Sequence, residues 1–289
     1  PSLSVRTREK FAFELNSLRR FNKGRAMLPL WDDVPAQRIP VVNYAIIIAC
    51  ILAFAVQLQA PNDGEQLVRE FGLIPLRVTN PNAKSAVVTG QDEQGRRVRQ
   101  EFSLESPIAP LATLFSSMFL HGGLMHIVGN LWFLFIFGDN VEDRFGHLGY
   151  LLVYLASGLA AGVLHILAAP NSPIPTIGAS GAIAGVMGSY LWLYPHARVM
   201  TLIPLGPFLR ITPVPAALFL VFWFAVQVVS GLQVSAAMGG VAWWAHVGGF
   251  VAGLSTTAIL NRMGKLLPSN HPRLVYGFPQ YHEERQPWH

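Results

Sequence analysis

Charged residues are confined to a few patches of this chain, and four long windows contain no Asp, Glu, Lys or Arg. These windows run from Phe145 to Ala197, from Ile211 to Asn261, from Ser106 to Gly138 and from Ile39 to Asn62. About 20 apolar residues cross the ~30 Å hydrocarbon layer, so each of the two longest windows has room for two spans. We therefore predict an all-α, polytopic membrane protein with six helices, at about residues 40–60, 123–140, 147–169, 178–194, 212–232 and 241–262.

The predicted membrane domain, residues 39–262, is flanked by a basic N-terminal tail, 1–38, and a C-terminal tail, 263–289. Its first loop, 61–122, is long. Within it, Val87–Thr89 is β-prone and Arg97–Phe102 roughly alternates, which predicts a small hairpin. Residues 110–123 are apolar but interrupted by serines and glycines, so we expect this part of the loop to be embedded without spanning.

The composition supports a membrane protein, with 52% hydrophobic and 13% charged residues. The net charge of +5 is compatible with nucleic-acid binding, but the basic residues lie in tails and loops that flank the spans. We therefore expect no nucleic-acid partner and interpret the charge as a topology signal. The short loops with Arg144, Arg198 and Arg210 then lie inside, and both termini are cytoplasmic.

Cysteine usage and the N-terminal region add two narrower expectations. Cys50 is the only cysteine and lies in the first predicted span, so no intrachain disulfide can form. The first apolar run begins only after about 38 residues and is long enough to cross the membrane, so we expect no cleavable signal peptide.

Polar residues recur at the starts of the second, fourth and sixth predicted spans. Ser180 opens the fourth span, His126 and Asn130 share a face of the second, and His246 lies near the start of the sixth. Alternate spans of a polytopic chain run in the same direction, so these starts meet the same membrane face, the external one if the N-terminus is inside. The 15 residues from Ser180 to Tyr194 make only ~22 Å of helix, which predicts that Ser180 lies below the surface in a cavity.

These groups can be assigned the chemistry of peptide hydrolysis. Serine needs a base to take its proton, and His246 is the candidate, as a dyad without an aspartate. The backbone N–H of Ser180, the amide of Asn130 and an N–H of His126 could donate hydrogen bonds to the oxyanion. Close approach of the two helices would be permitted by small residues, namely Gly181, Gly185 and Gly188 on one helix and Gly249 and Gly253 on the other.

Each of these residues also has a simpler interpretation. Small residues around Ser180 are common where membrane helices pack, and His121 or His126 taken alone fits a hydrogen-bonded packing histidine. A haem or metal site at the two histidines is disfavoured because no carboxylate or thiol is nearby. A transporter or channel is disfavoured by the lack of acidic residues within the spans and of repeated halves.

At these residues the sequence resembles the rhomboid family of intramembrane serine proteases. The resemblance runs from about His121 to Gly253 and rests on four motifs in order. They are His121-x-x-x-x-His126-x-x-x-Asn130, Glu142-x-Arg144, Gly178-x-Ser180-Gly181 and His246-x-x-Gly249-x-x-x-Gly253.

The resemblance implies a compact six-helix bundle that cleaves membrane-anchored substrates near the outer face, with no metal or cofactor. Ser180 would be the nucleophile, His246 the general base, and His126 and Asn130 oxyanion donors, with His121 beside the site. Many relatives carry Trp-Arg in the first loop where this chain has Ala112-Thr113. A rhomboid-like protein that binds or escorts membrane clients without cleaving them is the alternative.

Two further expectations concern the surroundings of the bundle. We expect Glu142 and Arg144 to form a structural pair at its inner end. We also expect the chain to lie in a bacterial inner membrane, in contact with the lipid bilayer and with transmembrane protein substrates.

Overall fold

The computed structural model describes residues 27–91, 97–205, 208–233 and 241–268. In chain order its strands and helices are β1 (Leu28–Asp32), α1 (Val41–Gln59), α2 (Glu65–Phe71), α3 (Pro75–Thr79), β2 (Ser85–Gln91), β3 (Arg97–Ser103), α4 (Thr113–Ser116), α5 (Leu124–Ala168), α6 (Ser180–Leu193), β4 (Arg198–Leu205), β5 (Phe208–Pro215), α7 (Ala216–Gln233) and α8 (Trp243–Arg262).

Three helices in the described part of the chain, α1, α5 and α7, are long and apolar enough to cross a membrane. The 45 residues of α5 are interrupted at Gly146, whose φ of 66° and ψ of 170° are not helical. This positive φ is accessible to glycine at little cost, so the chain turns there between two helical segments. Helical segments thus occupy all six ranges predicted from the apolar windows, although α6 and α8 do not meet the same length and hydropathy criteria.

The core lies between α6 and the two halves of α5, one before and one after Gly146. Its largest fully buried side chains include Phe137, Tyr150, Tyr154 and Tyr190. The Tyr150 hydroxyl donates a 2.7 Å hydrogen bond to the side-chain oxygen of Asn43, which brings α1 onto this core. This hydrogen bond offsets the cost of burying the Tyr150 hydroxyl in an apolar environment.

Helix α1 begins against carboxylates that come from α5. The Glu142 carboxylate accepts hydrogen bonds from the backbone N–H groups of Val42 and Asn43, at 2.9 and 2.8 Å. These N–H groups have no partner within the helix, and their partial positive charge favours an anion. Arg144 instead donates from Nε to the carbonyl of Leu267, at 2.8 Å. The expected Glu142–Arg144 pair is therefore wrong, since residues two apart on a helix face different sides.

The connections contain more β-structure than the sequence suggested. The predicted hairpin is confirmed as β2 and β3, which pair antiparallel from Ser85 opposite Ser103 to Gln91 opposite Arg97. A second, unpredicted sheet has the order β1-β4-β5 and is antiparallel throughout. It takes up residues that we assigned to the N-terminal tail, to a short loop and to the start of the fifth span.

The apolar segment 110–123 forms short helical turns without a long helix, at Pro110–Ala112, α4 and Ser117–Phe119. Thr113, one of the two residues that depart from the Trp-Arg pattern, is fully buried and donates to the carbonyl of Pro110 at 2.5 Å. This segment and the loop before α6 are joined by a 2.9 Å hydrogen bond from the N–H of Gly178 to the carbonyl of Ser117.

Candidate active site

Ser180 is the first residue of α6, and its hydroxyl meets the imidazole of His246 from α8. The distance from Ser180 Oγ to His246 Nε2 is 2.8 Å. His246 is 9% exposed and Ser180 is half-buried, so the imidazole is largely shielded from bulk solvent. A hydroxyl and an imidazole nitrogen at this distance have the geometry of a nucleophile and its general base.

The two helices approach closely because glycines face backbone atoms across their interface. A Cβ atom at Gly249 would lie 1.9 Å from the carbonyl oxygen of Gly181, and one at Gly253 would lie 1.9 Å from that of Gly185. Neither position has room for a larger residue at this separation. Glycine at these positions therefore permits the short distance between Ser180 and His246.

His126 directs a proton-bearing nitrogen toward the loop before Ser180. Its Nδ1 accepts a 3.2 Å hydrogen bond from the N–H of Gly122. A neutral imidazole whose Nδ1 is an acceptor carries its proton on Nε2. That Nε2 lies 2.7 Å from the position of a Cβ atom built on Gly178, which places an N–H donor two residues before Ser180.

Asn130 presents a second donor on the same side. Its Nδ2 lies 3.5 Å from the Cβ position of Gly178 and is buried with no hydrogen-bond partner. It is one of seven buried side-chain atoms without a partner among the described residues, and its place beside Gly178, two residues before Ser180, gives it a possible use. The side chains of His126 and Asn130 and the first N–H of α6 can together accommodate a developing negative charge on an oxygen.

His121 lies next to these donors without facing Ser180 itself. Its ring contacts that of His126 edge-to-face, with centroids 5.3 Å apart. The backbone of His121 is held by Gln57 of α1, which accepts from its N–H at 2.9 Å and donates to its carbonyl at 3.0 Å. This pair of hydrogen bonds fixes the loop that precedes α5.

Two glutamines at the site were missed by the sequence reasoning. Gln57 holds the His121 backbone, and Gln227 of α7 places its Oε1 2.8 Å from His246 Nδ1. Both are polar residues inside otherwise apolar spans, and the rule that drew attention to Ser180 and the histidines applies equally to them. The prediction of an unassisted dyad is therefore incomplete, since a side-chain amide takes the position opposite Ser180 on the imidazole.

A narrow cleft adjoins Ser180. It is lined by small and apolar residues that include Met118, Gly158, Gly162, Ile177, Gly178 and Gly181. The sulfur of Met118 would lie only 2.1 Å from a Cβ atom at Gly158, so the glycine leaves room for this methionine in the wall. Such a cleft accommodates a small side chain beside the serine better than a bulky one.

Glu142 and Arg144 belong to a different part of the molecule. Glu142 lies 12 residues beyond Asn130 on α5, or about 18 Å along the helix. Within the described ranges, no three His, Cys, Asp or Glu side chains are grouped as metal ligands would be.

Comparison with known proteins agrees with this geometry. The family model of the rhomboid domain matches residues 109–263, which is more than half of the chain and includes Ser180, His246, His126 and Asn130. The chain therefore belongs to the rhomboid family.

Its relatives come from bacteria and from organelles. Over 153 residues it is 31% identical to RHOMBOID-like protein 6, mitochondrial, of Arabidopsis thaliana, covering 51% of this chain and 43% of that protein. Over 183 residues it is 33% identical to Rhomboid protease GluP of Bacillus subtilis, covering 63% of this chain and 31% of that protein. Rhomboid protein 1, mitochondrial, of Saccharomyces cerevisiae is 27% identical over 146 residues, covering 49% of this chain and 40% of that protein. The matched regions thus span less than half the length of each of these relatives.

Proposed function

We propose that this protein is an intramembrane serine endopeptidase that hydrolyses peptide bonds of transmembrane proteins. The single observation that carries the proposal is the 2.8 Å contact between Ser180 Oγ and His246 Nε2 beside an unpaired, buried amide donor on Asn130. A packing role for these residues would explain the contact, whereas the proposed reaction also gives the free donor a use.

In the proposed reaction, His246 Nε2 takes the proton of the Ser180 hydroxyl while Oγ attacks the carbonyl carbon of the scissile bond. The oxyanion of the tetrahedral intermediate accepts hydrogen bonds from Asn130 Nδ2, His126 Nε2 and the backbone N–H of Ser180. Collapse of the intermediate breaks the C–N bond, and the protonated His246 gives its proton to the leaving amine. Water then hydrolyses the acyl ester by the same route and regenerates Ser180.

The proposed substrates follow from the surroundings of the serine. A site enclosed by apolar helices is reached by segments that are themselves in the membrane, and the cleft beside Ser180 has room for a small side chain. A peptide bond must also leave its helix before a serine can attack it. We therefore propose that cleavage occurs near one membrane face, in a transmembrane segment that carries small residues and unwinds there.

The topology belongs to the same proposal. We propose that all six apolar segments cross the bilayer, with both termini in the cytoplasm and the Ser180 end of the bundle at the external face, in the inner membrane of a bacterium. The motif-bearing segments α5, α6 and α8 bring their starts together at one end, as six alternating spans require. The rival function, an escort that binds membrane clients without cleaving them, would need no free oxyanion donor.

Reconstituted protein tests the proposal. Native protein, Ser180→Ala and His246→Ala are compared on a single-span model substrate in liposomes, and each is exposed to a fluorophosphonate that esterifies activated serines with loss of fluoride. We expect native protein to cleave the substrate and to be labelled, and both variants to lose cleavage by at least about a thousand-fold.

Matched controls come from the same chain. Ser255→Ala changes an exposed serine of α8, and His196→Ala changes an exposed histidine before β4. Both should cleave like native protein. Cleavage by Ser180→Ala at the native rate would refute the proposal, and a native protein that binds several substrates, cleaves none and takes no label would support the escort function instead.

A further inference from the structure

We infer that Gln227 of α7 is the positioning residue of His246, and that it determines which ring nitrogen faces Ser180. This inference rests on the proposed proteolytic function. The imidazole lies between two partners from two other helices, with Nε2 2.8 Å from Ser180 Oγ and Nδ1 2.8 Å from Gln227 Oε1. Each ring nitrogen therefore has one partner, and the two partners have different hydrogen-bonding capacities.

The orientation of the Gln227 amide follows from its second hydrogen bond. Its Nε2 donates to the carbonyl oxygen of Trp223, one helical turn earlier, at 3.2 Å. The amide nitrogen is thereby directed away from His246, and the oxygen faces Nδ1. A carbonyl oxygen can only accept a hydrogen bond, so Nδ1 carries the proton. Nε2 then has a free lone pair, which is the state that can take the Ser180 proton.

The burial of Gln227 supports a specific use. It is 5% exposed, and the other buried residues of α7 are apolar or glycine, namely Ala216, Phe219, Leu220 and Gly231. An amide inside an apolar span costs free energy unless both of its polar ends are hydrogen bonded. Here one end bonds within α7 and the other bonds the imidazole, so the hydrogen bond to His246 offsets the cost of placing the amide there.

Aromatic contacts hold α7 against α8 around this hydrogen bond. The Trp223 ring faces the imidazole of His246 with centroids 5.8 Å apart, and Phe224 stacks on Phe250 of α8 at 4.6 Å. These contacts lie one turn from Gln227 and limit how far its amide can move from Nδ1. The ring of His246 is therefore held from the side as well as from its two nitrogens.

A neutral amide differs from the aspartate of a Ser-His-Asp triad. Both accept a hydrogen bond from Nδ1–H and so select the tautomer, but a carboxylate also stabilises the imidazolium that forms during the reaction. The titratable side chains near His246 are the imidazoles of His126 and His165, both from α5, and among the described residues no acidic side chain is near it. Gln227 therefore supplies orientation without a buried negative charge, which would be costly within the membrane.

The first test separates orientation from packing. Gln227→Met keeps the length and much of the volume of the side chain but removes its acceptor, whereas Gln227→Glu keeps an acceptor. We expect Gln227→Met to lower kcat by about 10- to 100-fold with KM nearly unchanged, a part of the ~10²–10⁴ that a general base contributes. Gln227→Glu should recover most of this loss and move the acidic limb of the pH–rate profile to higher pH, because a carboxylate favours the protonated imidazole.

The control is Gln233→Leu, which removes an exposed glutamine at the end of the same helix and should leave kcat unchanged. Thermal unfolding of each variant shows whether the helices still pack. A folded Gln227→Met protein with native kcat and a native pH–rate profile would overturn the inference.

The second test needs no substrate. In protein with ¹⁵N-labelled histidine, the His246 resonances are identified by their absence from His246→Ala, and their shifts report which nitrogen is protonated. We expect the Nδ1-protonated form in native protein and a mixture of tautomers in Gln227→Met. An Nε2-protonated His246 in native protein would overturn the inference, whereas the Nδ1-protonated form in a protein that cleaves nothing would support the hydrogen bond and refute the protease function alone.

Discussion

At the scale of single residues, the free donor of Asn130 matters because of its location, beside Gly178 and the Ser180–His246 pair. A buried amide nitrogen without a hydrogen-bond partner raises the free energy of the folded state. Such a cost is expected where a group is held ready for a charge that exists only during the reaction. The neighbouring N–H of His126 has its orientation fixed by Gly122, so both donors are in place before any substrate arrives.

Replacing Asn130 should therefore affect turnover more than substrate binding. We expect Asn130→Ala to lower kcat by about 10²–10³, equivalent to ~3 kcal/mol of transition-state stabilisation, with little change in KM. Steady-state cleavage of a model substrate in liposomes measures both constants. Asn261→Ala, at the exposed end of α8, is the control. An unchanged kcat in Asn130→Ala would show that the amide does not bind the oxyanion.

At the scale of secondary-structure elements, the interface of α6 and α8 determines the distance within the Ser180–His246 pair. Two glycines of α8 contact backbone carbonyls of α6, so the helix axes are as close as backbone atoms allow. The Ser189 hydroxyl adds a 3.2 Å hydrogen bond to the carbonyl of Gly253 across the same interface. The three atoms nearest to an added methyl group at Gly253 are all backbone atoms of Gly185, which cannot move aside as a flexible side chain can.

A methyl group at Gly253 should consequently separate the helices. Its position lies 1.9 Å from the carbonyl oxygen of Gly185, so we expect Gly253→Ala to destabilise the protein by about 1–3 kcal/mol and to reduce cleavage. Thermal unfolding in detergent and cleavage are measured together. Gly129→Ala on α5 is the matched control, because its Cβ would meet nothing within 4 Å and alanine favours the helix. Equal unfolding temperatures for native protein and Gly253→Ala would contradict this account of the interface.

Some secondary-structure elements could be predicted from the sequence and others could not. The spans could be predicted because uncharged windows of sufficient length are a local property of the chain. The pairing of β1 with β4 could not, since the paired residues lie more than 160 positions apart in the sequence. The β4–β5 hairpin was missed because its residues were assigned to a loop and to the start of the fifth span. The binding of Glu142 to the start of α1 was missed for the same reason, because its partners lie about 100 residues away.

At the scale of the whole molecule, Asp32 connects the sheet to the helical bundle. Its carboxylate accepts hydrogen bonds from Asn140 of α5, at 2.9 Å, and from the hydroxyl of Tyr190 of α6. Burial raises the pKa of Asp32 from 3.8 to about 7; the hydrogen bond from Tyr190 opposes this rise, and the nearby charge of Asp139 adds to it. The carboxyl is therefore held in a place that favours its neutral form.

The raised pKa of Asp32 makes the stability of the folded protein depend on pH. The folded protein holds this proton more tightly than the unfolded chain does, so the contribution of Asp32 to stability is largest below about pH 4 and is lost as the pH rises to about 7. We expect Asp32→Asn to unfold at a higher temperature than native protein at pH 8, by about 2–4 °C for each kcal/mol relieved, and the difference to shrink toward pH 5.

Thermal unfolding from pH 5 to pH 8 measures this difference. The asparagine oxygen can still accept from Asn140 and Tyr190, so the variant removes the charge while keeping acceptors for both. Asp33→Asn, at the exposed neighbouring position, controls for the loss of one negative charge. A difference that is constant with pH, or one that favours native protein at pH 8, would contradict the prediction.

The sequence by itself determined the apolar segments and the grouping of Ser180, His246, His126 and Asn130 at one end of the bundle. Both depend on local composition and on the alternating direction of successive spans, which a linear pattern contains. Only the tertiary structure decided that Gln227 faces His246, because that contact depends on the rotation of α7 about its axis. It also decided the sheet and the partners of Glu142 and Asp32, since these depend on which distant segments pack together.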